Sequence, residues 1–247
     1  MRDEGGDTAP APPEYLRKEE AERLVRGWLP AGFALAAGDP GAEAPHDPDT
    51  PSGAVPHRAR EFAAGRRAAR DAARQAGLML DRLPMGADRA PVWPVGLTGS
   101  ISHSGGLCLA AVGPSAGGTI GLDLEPDAPL DPALWDTVLR AAEIAALPAD
   151  AAAGHAALAL FAAKEAAYKA QYPLTRRLFG FHDLEITLSP GRFRALFTAA
   201  HPPFAPGDAI EGHWGRAAGH VLALAALSPR TAPRPTDGAA EKTPPRA

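Results

Sequence analysis

Proline-rich segments set the first limit on what this chain can fold into, because proline interrupts both helices and strands. The 27 prolines are densest, together with alanine, glycine and charged residues, in 1–13, 37–56 and 229–247. Such segments carry too little apolar surface to offset the entropy that is lost on ordering. We therefore predict disordered tails over 1–13 and 229–247, a mobile loop over 37–56, and a folded body over 14–228.

Helical and strand patterns both occur in the folded body. The run 60–78 (REFAAGRRAARDAARQAGL) has a helix-forming composition, and a second helix that contains 158–172 is predicted to end before Pro173. Apolar runs such as LCLAAVG, GTIGLDLE, GRFRALFT and GHVLALAAL are typical of short strands. The sequence therefore predicts an α+β fold. Helix plus strands in each half suggests a duplicated unit, although no residue-level repeat demonstrates it.

Composition narrows the classes of function. With 45% hydrophobic residues the chain can build a core, and its formal net charge of -4 gives no sign of a nucleic-acid-binding surface. The single cysteine, Cys108, lies in a small-residue apolar run and is expected to be a buried structural thiol. No apolar run is long enough to cross a membrane and no signal peptide is recognisable, so we expect a cytoplasmic protein without a membrane partner.

Two carboxylates interrupt the apolar run TIGLDLEP. On a strand, Asp123 and Glu125 lie on one face and Leu122 and Leu124 on the other. The Cα atoms of the two acidic residues would be about 6.6 to 7 Å apart, so their side chains could share one cation and would repel without it. Oxygen ligands of this kind suit Mg²⁺. The alternative is an ordinary acidic pair at an exposed strand end.

A second acidic and basic cluster lies in FAAKEAAYKAQYPL. Glu165 and Lys169 are four residues apart, hence on one helical face, and Lys164 and Tyr168 are close by. The alternative here is a plain surface ion pair. The surrounding residues are Ala and Phe, so these charges lie on an otherwise apolar face. The pattern favours a site that uses two cationic side chains and a third carboxylate in addition to Asp123 and Glu125.

The combination of three segments, WPVGLTGSISHS, GLDLE and FAAKEAAYKAQYP, resembles the 4'-phosphopantetheinyl transferase superfamily. It is most similar to the branch that includes enterobactin synthase component D, and RAREFAAGRRAAR and DRAPVWP fit that branch too. The resemblance covers about 58–182 and continues weakly to 227. It implies a pseudo-duplicated fold of two similar α+β halves, 14–126 and 127–228, with the active site in the cleft between them.

The resemblance implies an activity and a set of catalytic residues. Enzymes of this family move the 4'-phosphopantetheine arm of coenzyme A to a serine hydroxyl of an apo acyl or peptidyl carrier protein and release adenosine 3',5'-bisphosphate. By resemblance, Asp123, Glu125 and Glu165 would hold Mg²⁺. Glu165, or a metal-activated water, would accept the serine proton. Lys169 would stabilise or protonate the departing bisphosphate, and Lys164 would contact the phosphates.

The resemblance also implies contacts to coenzyme A by Arg58, Arg66, Arg89, Ser102 and His103. Arginine suits phosphate because its planar group donates two parallel hydrogen bonds. Without the family resemblance, an arginine-rich helix would be read as a solvated face and the histidine as a structural residue.

The expected partner is a carrier protein, of fatty acid, polyketide or nonribosomal peptide type, in a branch that often serves secondary metabolism or siderophores. From their charge, Arg176 and Arg177 are expected to meet an acidic carrier helix.

We expect a monomer, since a duplicated body can form the site between its own halves. The competing interpretations are a non-catalytic module that binds coenzyme A or a carrier, and an unrelated metal-dependent phosphohydrolase.

Overall fold

The computed structural model describes residues 14–42, 47–51 and 53–229. The two predicted tails lie outside the described residues, apart from Pro229. The helices are α1 (Glu14–Arg26), α2 (Pro56–Gln75), α3 (Trp135–Val138), α4 (Ala141–Ala145) and α5 (Ala153–Thr175). The strands are β1 (Ala34–Gly38), β2 (Leu97–Ser104), β3 (Leu107–Pro114), β4 (Thr119–Pro126), β5 (Leu184–Ser189), β6 (Arg192–Phe197), β7 (Ala209–Ala217) and β8 (His220–Leu227).

A three-stranded antiparallel sheet, in the order β1-β3-β2, carries α2 on one face. Pro56 occupies the start of α2, where its missing N–H costs no helical hydrogen bond. The buried face of the helix is rich in alanine, and these small side chains pack against Leu80, Leu83 and Val112. The predicted helix is therefore confirmed.

A five-stranded antiparallel sheet, in the order β4-β8-β7-β6-β5, carries α5. The alanine-rich side of α5 is buried against Phe193, Phe197 and Val221. The helix was predicted to end before Pro173 but runs to Thr175. Pro173 is tolerated because it lies in the last turn, where its missing N–H removes a single hydrogen bond to the preceding turn. The helix ends at Arg176, which has a left-handed backbone (φ 52°).

The predicted boundary between the halves, after residue 126, does not coincide with the point where the chain passes from one sheet to the other. Strand β4 pairs along its whole length with β8, so it belongs to the five-stranded sheet. The chain passes from one sheet to the other in residues 115–118. Each part combines a long helix with an antiparallel sheet, which agrees with the predicted α+β class, but one sheet has three strands and the other has five.

One hydrophobic cluster joins the two sheets. It contains Leu109 of β3, Leu122 and Leu124 of β4 and Leu222 of β8, together with buried residues of α1. Because these residues are almost completely buried, the two sheets pack as parts of one body. The prediction that Leu122 and Leu124 enter the core is confirmed.

The predicted loop 37–56 is in part an ordered, anchored segment. Its first residues, 37 and 38, belong to β1. Asp47 and Asp49 are buried, and both accept hydrogen bonds from Arg70, with Asp49 also accepting from Arg82 at 2.6 Å and from the Leu83 amide at 2.8 Å. These contacts fasten the segment to α2, which a composition rich in proline does not reveal.

Cys108 is fully buried, as expected, and burial raises the pKa of its thiol to about 12. A search of the described helices found none that combines the length and the hydropathy required to span a membrane.

Candidate active site

The predicted acidic residues of β4 lie on the face that α5 covers. Gly121 shares this face with Asp123 and Glu125, and a Cβ atom at Gly121 would lie 1.9 Å from the carbonyl oxygen of Ala166 in α5. Only glycine therefore lets the helix approach the strand this closely. The close approach brings the polar side chains of α5 onto the acidic end of β4.

Lys169 and Asp123 form the centre of the site. The Nζ atom of Lys169 lies 2.6 Å from Oδ1 of Asp123, and it also donates to the Leu122 carbonyl at 3.1 Å and to Oγ of Ser102 at 3.4 Å. Ser102 donates in turn to Oδ1 of Asp123 at 3.3 Å. Because Ser102 belongs to the three-stranded sheet, this cluster spans the junction between the two sheets.

The acidic residues perturb one another. Burial, followed by the charge of Asp123 and then of Glu165, raises the pKa of Glu125 to about 7. Burial and Asp123 also raise the pKa of Glu165. Burial opposes the charge of Lys169, but Asp123 and Glu165 raise its pKa overall. The site therefore concentrates negative charge that one ammonium group only partly balances.

The residues present fit a divalent cation. Asp123 is 2% exposed, and its Oδ2 atom is buried without a hydrogen-bond partner, which is costly for a carboxylate. A cation would satisfy this oxygen and relieve the repulsion with Glu125 and Glu165. Across the described part of the chain, no three acidic, histidine or cysteine side chains form a compact metal cluster. Mg²⁺ needs no such cage, since it usually takes one or two protein carboxylates.

The raised pKa of Glu125 predicts how stability depends on pH in the presence of a chelator. A carboxyl group whose pKa rises from about 4.5 to about 7 on folding stabilises the fold fully below pH 4.5 and loses this contribution as pH rises through 7. Glu125→Gln removes the titrating group. We expect the melting temperature of this variant to match that of the wild type at pH 5 and to exceed it by a few degrees at pH 8, in parallel thermal melts. If the melting temperatures of variant and wild type changed in parallel between pH 5 and pH 8, the raised pKa of Glu125 would be contradicted.

Some of the predicted coenzyme-binding residues lie beside this centre. Arg58 is 65% exposed and pairs with Glu61 at 3.3 Å. Nδ1 of His103 lies 3.7 Å from the other oxygen of Glu61, and burial lowers the pKa of this histidine. Glu61 thus links Arg58 to His103, which follows Ser102 in β2.

Arg66 and Lys164 are placed differently from the prediction. Arg66 is buried, its Nε donates to the Leu83 carbonyl at 2.7 Å, and its guanidinium stacks on the Phe62 ring at 4.0 Å. Lys164 is also buried, and it pairs with Glu143 rather than facing the acidic cluster. Both side chains are held in the protein interior, so their predicted contacts to phosphate are not supported by this geometry.

Arg89 lies at a pocket of about 310 Å³ that opens beside Lys169, between the segment 88–93 and α5. Its backbone is left-handed (φ 66°), and the neighbouring Asp88 accepts a hydrogen bond from the Tyr172 hydroxyl across the pocket. The lining side chains include Arg89, Trp93, Tyr168, Tyr172, Arg176 and Leu178. The sequence analysis missed Trp93 and Tyr172. The spacing of Tyr168, Tyr172 and Arg176 at intervals of four was the available signal, because it defines one helical stripe.

Comparison with protein-family models gives two consecutive matches. The model of the 4'-phosphopantetheinyl transferase N-terminal domain matches residues 47–113. The model of the 4'-phosphopantetheinyl transferase superfamily matches residues 119–225. The gap between the two matches coincides with the passage from one sheet to the other, and together they cover well over half of the chain.

Three curated relatives agree with these matches. 4'-Phosphopantetheinyl transferase PptT of Mycobacterium tuberculosis is 34% identical over 222 residues, which cover 83% of this chain and 98% of the relative. 4'-Phosphopantetheinyl transferase Svp of Streptomyces mobaraensis is 36% identical over 199 residues, 76% of this chain and 81% of the relative. 4'-Phosphopantetheinyl transferase Npt of Nocardia iowensis is 39% identical over 134 residues, 54% of this chain and 60% of the relative. The resemblance inferred from the motifs is confirmed, and the chain belongs to the 4'-phosphopantetheinyl transferase superfamily.

Proposed function

We propose that this protein transfers the 4'-phosphopantetheine arm of coenzyme A to a serine hydroxyl of an apo carrier protein and releases adenosine 3',5'-bisphosphate. The observation that carries the proposal is the convergence of Asp123, Glu165 and Lys169 where α5 crosses β4, next to Ser102 of the other sheet. Membership of the superfamily and the names of the curated relatives support the same reaction.

Asp123, Glu125 and Glu165 are the residues proposed to hold Mg²⁺. Support comes from the unpartnered Oδ2 of Asp123 and from the raised pKa values of the two glutamates. When bound, the ion would neutralise charge on the pyrophosphate of coenzyme A as the phosphoryl group is transferred.

The remaining roles follow from the environment of each side chain. Lys169 is held charged by Asp123 and fixed by the Leu122 carbonyl, so it is suited to stabilise the charge that develops on the departing bisphosphate. Glu165, or a water activated by the ion, is proposed to accept the serine proton; in the ion-free site, burial raises the pKa of Glu165. Arg58, Arg89 and His103 are proposed to bind the coenzyme.

The test is intact mass spectrometry of apo carrier proteins after incubation with this protein, coenzyme A and Mg²⁺. We expect a mass gain of one phosphopantetheine group on at least one carrier of fatty acid, polyketide or nonribosomal peptide type, and no gain with Glu165→Ala. Coenzyme A binding without any mass gain across the three carrier types would favour the non-catalytic binding module. Absence of both binding and transfer would overturn the proposal.

Carrier docking is proposed at the end of α5, where charge and apolar surface occur together. Arg176 and Arg177 are exposed, as are Leu174 and Leu178, the latter at 76%. A basic patch with two leucines complements the acidic, amphipathic helix expected of a carrier.

A monomer is proposed because both sheets of one chain supply the site. A cytoplasmic location stays a prediction from the sequence.

Reversal of charge at this patch should weaken binding of the carrier. For Arg176→Glu/Arg177→Glu we expect the KM for the carrier to rise about tenfold or more. Arg176 also lines the pocket beside Lys169, so Arg177→Glu alone is the variant expected to keep the KM for coenzyme A within about twofold of wild type. Steady-state kinetics with each substrate varied in turn would measure both. The matched control is Arg192→Glu/Arg194→Glu on β6, an exposed pair elsewhere. Equal effects from the two double variants would remove this docking surface.

A further inference from the structure

We propose that Lys164 and Glu143 form a buried positioning pair that shapes the apolar pocket beside Glu165, and that Lys164 is not a phosphate ligand. The inference rests on the proposed function, since it assigns a role in binding coenzyme A. It concerns a lysine that directly precedes a proposed catalytic residue in the sequence.

The hydrogen bonds of Lys164 are complete without a ligand. Its Nζ atom lies 2.7 Å from Oε2 of Glu143 and donates at 3.0 Å to the carbonyl oxygens of Phe181 and Leu184. An ammonium group has three hydrogens, so these three acceptors use all of them. The side chain is only 1% exposed. Contact with a phosphate would therefore require the loss of a bond inside the protein.

Glu143 connects the pair to two further segments. Its Oε1 atom accepts from the Ile186 amide at 2.6 Å, and its Oε2 atom accepts from the Arg140 amide at 2.7 Å. The carboxylate thus ties the start of α4 to β5, while Lys164 adds α5 and the segment before β5. A buried ion pair with this many additional hydrogen bonds fixes the positions of the connected segments relative to one another. Structural specificity of this kind is the best-attested role of buried ion pairs.

The segment held by Lys164 is one wall of a pocket. Phe179, Gly180 and Phe181 line it on one side, and Glu165 and Tyr168 line it on the other. The Phe179 ring meets the Tyr168 ring edge-on, with their centroids 5.2 Å apart, and Phe181 packs on Phe161 of α5. Lys164 also lines the pocket, but its ammonium hydrogens are all donated within the protein. The aromatic walls and the carboxylate of Glu165 therefore suit an uncharged chain and disfavour phosphate.

The two lysines of α5 therefore affect different parts of the ligand. Lys169 lies in the acidic cluster, where loss of its charge should weaken binding of any ligand that carries the phosphates. Lys164 acts through the wall 179–184. Its loss should therefore weaken binding only of ligands that also carry the pantetheine arm.

The test compares two ligands by isothermal titration calorimetry in the presence of Mg²⁺. One is coenzyme A. The other is 3'-phosphoadenosine 5'-diphosphate, which carries the three phosphates of the coenzyme without the arm. For Lys164→Met and for Glu143→Gln we expect coenzyme A binding to weaken about tenfold and binding of the arm-free ligand to stay within about twofold. The matched control, Lys169→Met, should weaken both ligands.

The double variant Lys164→Met/Glu143→Gln adds a test of the pair itself. It leaves no unpaired buried charge, so coenzyme A should bind more tightly than to Lys164→Met alone. If Lys164→Met does not fold, as circular dichroism would show, Glu143→Gln and the double variant carry the same test. Equal weakening of both ligands by either single variant, or no recovery in the double variant, would overturn the inference. Failure of the wild type to bind either ligand would instead overturn the proposed function.

Discussion

Glu165→Gln is expected to slow carrier modification by about a hundredfold or more. Glutamine has nearly the same volume, so α5 and the pocket beside it should keep their shape, but it neither accepts a proton nor carries a charge. General-base catalysis alone contributes about 10²- to 10⁴-fold. The initial rate of mass gain on a carrier, at saturating coenzyme A, measures the effect.

A matched control is Glu211→Gln on β7, which removes an exposed carboxylate paired with Arg194. This control should keep the wild-type rate. A Glu165→Gln rate within about twofold of wild type would show that Glu165 takes no part in the chemistry. Recovery of most of the rate at high Mg²⁺ would assign Glu165 to ion binding rather than to proton transfer, since mass action can offset a weakened ligand set.

Local periodicity predicted the faces on which the central side chains lie. Alternation along β4 was enough to place Asp123 opposite Leu122, and a spacing of four was enough to place Glu165 and Lys169 on one helical face. Both rules depend only on backbone geometry. They hold wherever the element forms, so the face of each side chain was predictable from the sequence, whereas the meeting of β4 and α5 at one site was inferred from the family resemblance.

Local patterns gave no information about partners that are distant in sequence. Lys164 was assigned to phosphate by family resemblance, yet its partner Glu143 lies about twenty residues earlier in a short helix. Arg66 was also assigned by resemblance, and its partner is a carbonyl in the irregular segment around Leu83. Whether a long basic side chain turns inward depends on what the rest of the fold places beside it, since its stem packs equally well on apolar surface.

The difference between the predicted boundary after residue 126 and the passage between the sheets at 115–118 has the same origin. Strand β4 follows β3 closely along the chain, but its hydrogen-bonding partner is β8, about a hundred residues later. Alternation identifies a strand and its buried face, and it does not identify the neighbouring strand. The anchoring of Asp47 and Asp49 to Arg70 is a further case, because it depends on a contact that proline content cannot predict.

Asp123→Asn is expected to reduce both transfer and stability. The amide cannot balance the charge of Lys169, which lies 2.6 Å from Oδ1, and it is a much weaker ligand for a divalent cation. Transfer should fall about a hundredfold or more. Because Asp123 is buried while the lysine keeps partial contact with solvent, unfolding should be easier by about 1 to 3 kcal/mol rather than by the larger cost of a fully buried pair. Urea titrations measure this loss.

The double variant Asp123→Asn/Lys169→Met separates the two effects. Without the lysine charge, the asparagine no longer faces an unpaired cation, so the free energy of unfolding should recover part of the loss caused by Asp123→Asn alone. Transfer should not recover, because the proposed metal ligand and the group that stabilises the bisphosphate are then both missing. Recovery of stability without activity would show that the pair is kept for chemistry and not for the fold. Recovery of both would mean that Asp123 acts only by holding Lys169 in place.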